Sequence, residues 1–301
     1  MGAQMTPEGR SQSIPISQAE LRELLLSYRA ENWKGIQPPE TQVQIVEAML
    51  QPGAGTVLNQ VAQFWPIPTG ATILDIGSGT GGFVVGCREL GHRAFGIEPD
   101  RIGAGASLTS IQIAARRVSP NVFASSVGEA LPFPDRAFDL VTLNQVVEHV
   151  PDPVAVLREA ARVLRPGGAL YVACPNYLQF YESHYKVFWL PLMPMFLGRF
   201  YLRLRGRNPV MLRDLYYTTN HRLRKWLEAL GDEFEVLDFH QAQFIRKCTG
   251  QGEFTSGRGR LGKKMISFSL IGPALRALIL GWIRLREGGC EMLALRKGGA
   301  K

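Results

Sequence analysis

The run Ile73-Leu74-Asp75-Ile76-Gly77-Ser78-Gly79-Thr80-Gly81-Gly82 carries the strongest chemical signal in the chain. An apolar strand feeds a glycine-rich turn that opens a helix, an arrangement that lets a bound ligand approach the backbone closely. Asp75 stands two residues before the first glycine. Glu98 ends the next apolar run, where a carboxylate can accept both hydroxyls of a ribose. Gly77, Gly79 and Gly82 satisfy G-x-G-x-x-G, and a dinucleotide would use that spacing equally well.

A second constellation is Asn144-Gln145-Val146-Val147-Glu148-His149-Val150-Pro151-Asp152-Pro153. A histidine near neutral pKa can take a proton from a hydroxyl, so His149 is the candidate catalytic residue. Alternatively, Glu148 and His149 orient the loop and the start of the next helix without moving a proton. Between the two constellations stand Glu129-Ala130-Leu131-Pro132-Phe133-Pro134-Asp135 and Phe138-Asp139-Leu140-Val141.

The elements that must position these residues alternate. Short apolar runs at 72–76, 94–98, 122–126, 138–143 and 169–174 predict strands, and helical stretches at 82–91, 101–117 and 153–165 separate most of them. Such alternation predicts a parallel sheet with helices on both faces. Ahead of it, Ser17-Gln18-Ala19-Glu20 reads as a capping box before Leu21, Leu24, Leu25 and Tyr28. Two more helices are expected near 39–50 and 56–64, and Pro66 and Pro68 close that segment. Beyond Pro175 the segment reads as irregular, with Pro191, Pro194 and Pro209. A short helix near 220–230 should end at Gly231, followed by strands at 234–239 and 291–295.

With 301 residues, 46% hydrophobic and 20% charged, the chain can bury a sizeable core, which excludes wholesale disorder. Cys87, Cys174, Cys248 and Cys290 form no C-x-x-C pair, so neither a zinc ribbon nor a disulfide scaffold is expected, and a reducing compartment suits them. The net charge of +8 hides an asymmetry: residues 1–175 carry 13 Lys/Arg against 16 Asp/Glu, and residues 176–301 carry 21 against 10. A basic half can meet nucleic acid, an anionic membrane surface or an anionic substrate, or be merely a solvated face.

The order of motifs over residues 71–175 resembles the class I S-adenosylmethionine-dependent methyltransferases, whose E-A-L-P-F-P-D-like segment a dehydrogenase would lack. The resemblance implies an α/β, doubly wound, mostly parallel seven-stranded sheet (a Rossmann-like methyltransferase fold) whose seventh strand is antiparallel. It implies S-adenosyl-L-methionine as cofactor. Gly77 and Gly79 would pass under its methionine part, Asp75 would sit near its amino group, and Glu98 would hold its ribose. Ser78, Gly81, Pro99, Asn144 and Gln145 complete the expected cofactor-binding set, with Val127, Gly128 and Glu129 on the adenine side. Family members commonly place an acid at position 127, so Val127 leaves adenine to backbone groups or to Ser125 and Ser126. The exit of the fourth strand looks like that of quinone-biosynthesis O-methyltransferases. Some of these bind a divalent ion through E-x-x-E-H; Gln145 replaces the first acid here, so no metal is expected.

The expected organisation is a disordered tail at 1–13, a helical cap at 14–66 covering the cofactor, and a methyltransferase domain at 67–301. Two insertions, 176–218 and 240–289, leave the carboxyl edge of the sheet, where open α/β sheets bind ligands. The first contains Val187 to Leu197, then Arg199, Arg203, Arg205 and Arg207. The second contains Met265, Phe268, Leu275 and Trp282 near helical spacing, flanked by Lys263, Lys264, Arg284 and Arg286. Apolar stretches with basic flanks predict either an interfacial membrane contact or a lid or dimer surface that buries them against protein. The expectation is thus a cytoplasmic methyltransferase, with peripheral membrane contact left open. Its acceptor would be a small molecule, an oxygen of an apolar or lipid-like compound. RNA methylation, a nicotinamide oxidoreductase and a catalytically silent binding protein are the rivals.

Overall fold

The capping box forms as the sequence predicts: Ser17 accepts the N–H of Glu20 at 3.2 Å, and Glu20 accepts the N–H of Ser17 at 3.0 Å. It opens α1 (Gln18–Asn32), which is followed by α2 (Pro39–Leu50) and α3 (Ala54–Ala62). The computed structural model describes residues 16–51, 53–99, 109–239 and 289–298. The expected tail at 1–13, residues 101–108 of the helix expected at 101–117, and nearly all of the second insertion lie outside the described residues.

After Pro66 and Pro68 the chain alternates as expected. The elements are β1 (Thr72–Ile76), α4 (Gly82–Glu89), β2 (Arg93–Glu98), α5 (Ser110–Arg117), β3 (Phe123–Ser125), β4 (Phe138–Asn144), α6 (Pro153–Val163) and β5 (Leu164–Cys174). Strand β5 begins five residues earlier than the apolar run suggests. Its first part pairs Phe138 with Leu164, and the register shifts before Leu140 meets Ala169.

The insertion between Pro175 and Asn220 is not irregular. It folds as a hairpin, β6 (Tyr181–Glu182) and β7 (Val187–Phe188), then α7 (Met195–Leu204) and a 3₁₀ turn at Pro209–Arg213. The prolines that suggested breaks are starts: Pro194 is the N-cap of α7 and Pro209 opens the 3₁₀ turn, where a missing N–H costs nothing. Helix α8 (Asn220–Glu228), β8 (Phe234–Asp238) and β9 (Cys290–Arg296) complete the chain, with Gly231 at φ 98° after α8.

The seven-stranded sheet has the order β3-β2-β1-β4-β5-β9-β8, and β9 runs antiparallel to both neighbours. Strand parity divides its two faces. Leu74, Ile76, Val141, Leu143, Leu170 and Val172 pack with α6 and α8. Ile73, Leu140, Ala169 and Tyr171 pack with α3 and α4. The strand order reverses between β1 and β4, and a crevice for ligands opens at the carboxyl ends of such a pair. Helices α1 and α2 form their own cluster with Ile113 of α5. The hairpin and α7 form another, around Tyr185, Val187, Trp189 and Leu202, which reaches Ile36 of the N-terminal segment.

Candidate functional site

The glycine turn sits at the reversal point. Gly77 (φ 73°) and Ser78 both donate their N–H groups to the carbonyl of Ile97, tying the turn to the end of β2. A Cβ on Gly77 would come within 2.4 Å of Val146, so the turn lies directly against the Asn144–His149 segment. A Cβ on Gly81 would meet Phe123 and Ala114 at 2.8 and 2.9 Å, so that glycine serves close packing under α4. Gly79 differs: at φ 51°, a Cβ there would meet none of the described residues within 4 Å. Among the described residues, open space lies over Gly79 alone of these three, beside the carboxylate of Glu98, which accepts its N–H at 3.0 Å.

Parity explains the partner of Asp75. It pairs with Thr142 across β1 and β4, so both point to one face, and the Thr142 hydroxyl donates to Asp75 at 2.7 Å. Burial pushes the Asp75 carboxyl up to about 7, against the lowering effect of Thr142, and nearby Glu98 adds to the rise. The buried hydroxyl oxygen of Ser78 has no hydrogen-bond partner among the described residues. Glu98 also accepts from the Ser110 hydroxyl at 3.2 Å. Burial and the charge of Glu98 push up the phenol of Tyr28 on α1, although a hydrogen bond with Ser110 opposes them, which places the N-terminal helix against the cradle. Arg117 reinforces that placement by donating to the carbonyls of Met49 and Thr80 at 3.2 and 3.3 Å.

The remaining expected residues fall around this crevice. Pro99 is half-buried after Glu98, and Val127 and Glu129 are exposed in the turn after β3. Gly128 is required there by packing, since a Cβ would stand 2.8 Å from Val156. Ser126 donates to the carbonyl of Ala130 at 2.8 Å, closing its own turn. Asn144 and Gln145 are exposed at the end of β4, and Gln145 holds φ 60° while donating its N–H to Ala173 at 2.8 Å. Cys174 is buried opposite Cys290, where a free cysteine packs as a small apolar side chain.

His149 has both ring nitrogens engaged. Nδ1 lies 3.1 Å from the carbonyl oxygen of Asp214, and Nε2 lies 3.2 Å from Nε2 of His184. Burial and the neighbouring His184 hold His149 down to about 4, so its ring is neutral at pH 7. His184 comes from the inserted hairpin, and its Nδ1 lies 2.7 Å from Glu182. Glu182 is buried, yet hydrogen bonds from His184 and Tyr185 keep its carboxyl below the usual range. Glu148 is fully buried, and burial pushes its carboxyl up to about 7. The sequence reading missed Thr142, Tyr28, Ser110, Glu182 and His184. Parity with Asp75 was a usable signal for Thr142; Glu182 and His184 had none.

A family model for the methyltransferase domain matches residues 54–248. The chain belongs to the methyltransferase domain family. Its relatives include an uncharacterized methyltransferase of Mycobacterium leprae, 34% identical over 120 residues, 39% of this chain and 42% of the relative. Another, from Mycobacterium tuberculosis, is 33% identical over 39% of this chain and 44% of its own length. The matched stretch thus spans about two fifths of these curated relatives. Among solved structures, a SAM-dependent methyltransferase of Thermotoga maritima is 25% identical, covering 60% of this chain and 71% of that one, with a TM-score of 0.40. Phosphoethanolamine N-methyltransferase 2 of Haemonchus contortus, solved with S-adenosyl-L-methionine, is 16% identical, covering 94% and 60%, with a TM-score of 0.48. The seven-stranded sheet with its antiparallel β9 is the methyltransferase arrangement that the motifs implied. Among the described residues, no helix is long and apolar enough to cross a membrane.

Proposed function

We propose that this chain transfers the methyl group of S-adenosyl-L-methionine to an oxygen of a small, apolar or lipid-like acceptor delivered at an anionic membrane surface. The observation that carries the donor assignment is the space that the described residues leave open over Gly79, flanked by the carboxylate of Glu98, with Asp75 on the strand that leads into the turn. The bound cofactor supplies a sulfonium methyl carbon open to attack by a nucleophile. Glu98 is suited to accept the ribose hydroxyls, and Asp75 to face the amino group once ionised. Tyr28 and α1 help to exclude water from the crevice. The turn at Asn144–His149 abuts Gly77 at the same sheet edge, which suits it to meeting the acceptor. The kinship with quinone-biosynthesis O-methyltransferases rests on this turn alone.

The surface of α7 supports the lipid reading. Phe196, Phe200 and Leu204 recur every four residues and are 69%, 61% and 71% exposed. Phe188 and Leu190 of the hairpin are also exposed, and Arg199, Arg203 and Arg205 stand exposed beside them. The apolar residues at 187–197 therefore divide: Val187, Trp189 and Met193 fill the insertion's core, and Phe188, Leu190, Phe196 and Leu197 face outward. An outward apolar ridge with cations alongside suits insertion into a bilayer interface, where each Lys or Arg contributes about 1 kcal/mol. A nucleic-acid surface would use the arginines and leave the ridge in water. Sedimentation with anionic and neutral vesicles at low and high salt tests this reading. The expected result is binding to anionic vesicles at low salt, lost in Phe200→Asp. Failure to bind them, with steeply salt-dependent RNA binding instead, would overturn it.

A further inference from the structure

Glu148, His149 and His184 meet beside the donor cradle in an arrangement that protein hydrogen bonds leave incomplete. The carbonyl of Asp214 can only accept, so Nδ1 of His149, 3.1 Å from that oxygen, carries a proton. Glu182 likewise accepts: it receives the hydroxyl of Tyr177 at 3.2 Å and the N–H of Tyr185 at 2.6 Å. His184 therefore carries a proton on Nδ1 for its 2.7 Å contact with Glu182. With a hydrogen bond orienting each Nδ1, the two Nε2 nitrogens face one another 3.2 Å apart. Two lone pairs at that distance repel unless a positive charge joins them.

The third member is Glu148. It is 0% exposed, and neither carboxylate oxygen has a hydrogen-bond partner among the described residues. One ligand atom from each of the three residues lies within 4.8 Å of the other two. A single proton shared between the rings would satisfy the histidines and leave Glu148 unpaired. A cation would serve all three.

We propose that Glu148, His149 and His184 bind one divalent transition-metal ion of the zinc class. Two imidazoles bonded at about 2.0–2.1 Å to a tetrahedral ion stand about 3.3–3.4 Å apart, close to the spacing already present. A shift of the Glu148 carboxylate towards the rings then completes a three-ligand set with an open fourth position. The layer behind the ligands is also built: each ring is oriented through Nδ1, one by a carbonyl and one by a carboxylate, as ligating histidines usually are. Glu182 is itself fixed by Tyr177 and Tyr185. The backbone of His184 is held by Gln37, whose amide donates to its carbonyl and whose own oxygen accepts from Arg29 at 2.8 Å. Two nitrogen donors favour zinc or cobalt over magnesium, which prefers oxygen. The expectation of no metal weighed Gln145 and the dispersed cysteines; the ligand His184 lies 35 residues beyond His149 and does not use position 145.

Only the role of the ion rests on the function proposed above: at the acceptor side it would lower the pKa of an acceptor hydroxyl. The site itself is tested without donor or acceptor. The full chain, stripped with chelator, is titrated with cobalt(II), zinc(II) and magnesium(II), followed by calorimetry and, for cobalt, by visible absorption. One cobalt or zinc per chain is expected, with visible cobalt bands of a low-coordinate site and no magnesium binding at matched concentration. His184→Asn and Glu148→Gln should each weaken cobalt binding more than 10-fold, and Glu182→Gln by about 10–100-fold. Glu148→Gln keeps the side chain's size and removes a buried charge, so it serves as the folded control by circular dichroism. Absence of stoichiometric cobalt and zinc binding in the wild type would overturn the proposal. Binding that His184→Asn and Glu148→Gln leave unchanged would overturn it equally.

Discussion

The donor cradle and the inserted hairpin meet at one sheet edge but are encoded differently. In the cradle, Asp75, Gly77, Gly79 and Glu98 lie within 24 residues, on a strand, its turn and the next strand. Their positions follow from local rules: strand parity, glycine at positive φ, and parallel pairing of β1 with β2. In the hairpin region, Glu182 and His184 gain meaning only from Glu148, His149 and Gln37, as far as 147 residues away in the chain. A site written by local spacing can be read from sequence. One written by long-range packing cannot.

That contrast can be broken at the cradle first. Gly79→Val puts a branched side chain into the open space and into a left-handed backbone position, so S-adenosylmethionine affinity should fall by more than about 100-fold. Calorimetry checks it, with circular dichroism to show that the sheet survives; a folded variant that binds normally would remove the cradle from the account. In the insertion, Trp189→Ala should cost about 3–5 kcal/mol, because Trp189 is fully buried and Gly198 and Tyr217 pack on it. If the insertion is an independent cluster, limited proteolysis should open 176–218 while cofactor affinity changes little. A large loss of cofactor affinity would show the two regions to be one unit.

Smaller effects are expected at the two carboxylates. Glu98→Ala removes charge-assisted bonds worth about 1.5–3 kcal/mol each, so affinity should drop by roughly 10–150-fold per bond. Unchanged affinity would sink the ribose assignment. Asp75 predicts a pH dependence. Its folded pKa, about 7, lies above the ordinary carboxylate value of 3.8. The folded state therefore holds the extra proton between those pH values, and stability of the cofactor-free protein should fall as pH rises from 4 to 7. Binding of a cationic amino group needs the ionised form, so affinity should rise about 10-fold per pH unit below 7 and level off above it. Asp75→Asn should flatten both curves, read by thermal melts and calorimetry across pH 5 to 8.

The sheet was legible because its strands are apolar runs of regular parity bounded by glycine or proline. The capping box at Ser17 and Glu20, the N-cap at Asp152 and the glycine after α8 each state a boundary locally. The early start of β5 was not, since Arg165, Pro166, Gly167 and Gly168 read as a loop yet continue the strand through a register shift. The insertion misled for a related reason. Pro194 and Pro209 mark helix starts as readily as breaks, and only the packing of Trp189, Tyr185 and Leu202 decides between them. His149 was recognisable as a chemical residue, but the contact that fixes its ring depends on His184, to which no spacing pointed.

The central claim is that the open crevice at the β1–β4 reversal is a methyl-donor site. Calorimetric titration of the wild-type chain with S-adenosyl-L-methionine and, separately, with NAD and NADP tests it most directly. One S-adenosyl-L-methionine per chain is expected, abolished by Gly79→Val, with no measurable binding of either dinucleotide. Tight binding of NAD or NADP with none of S-adenosyl-L-methionine would contradict it.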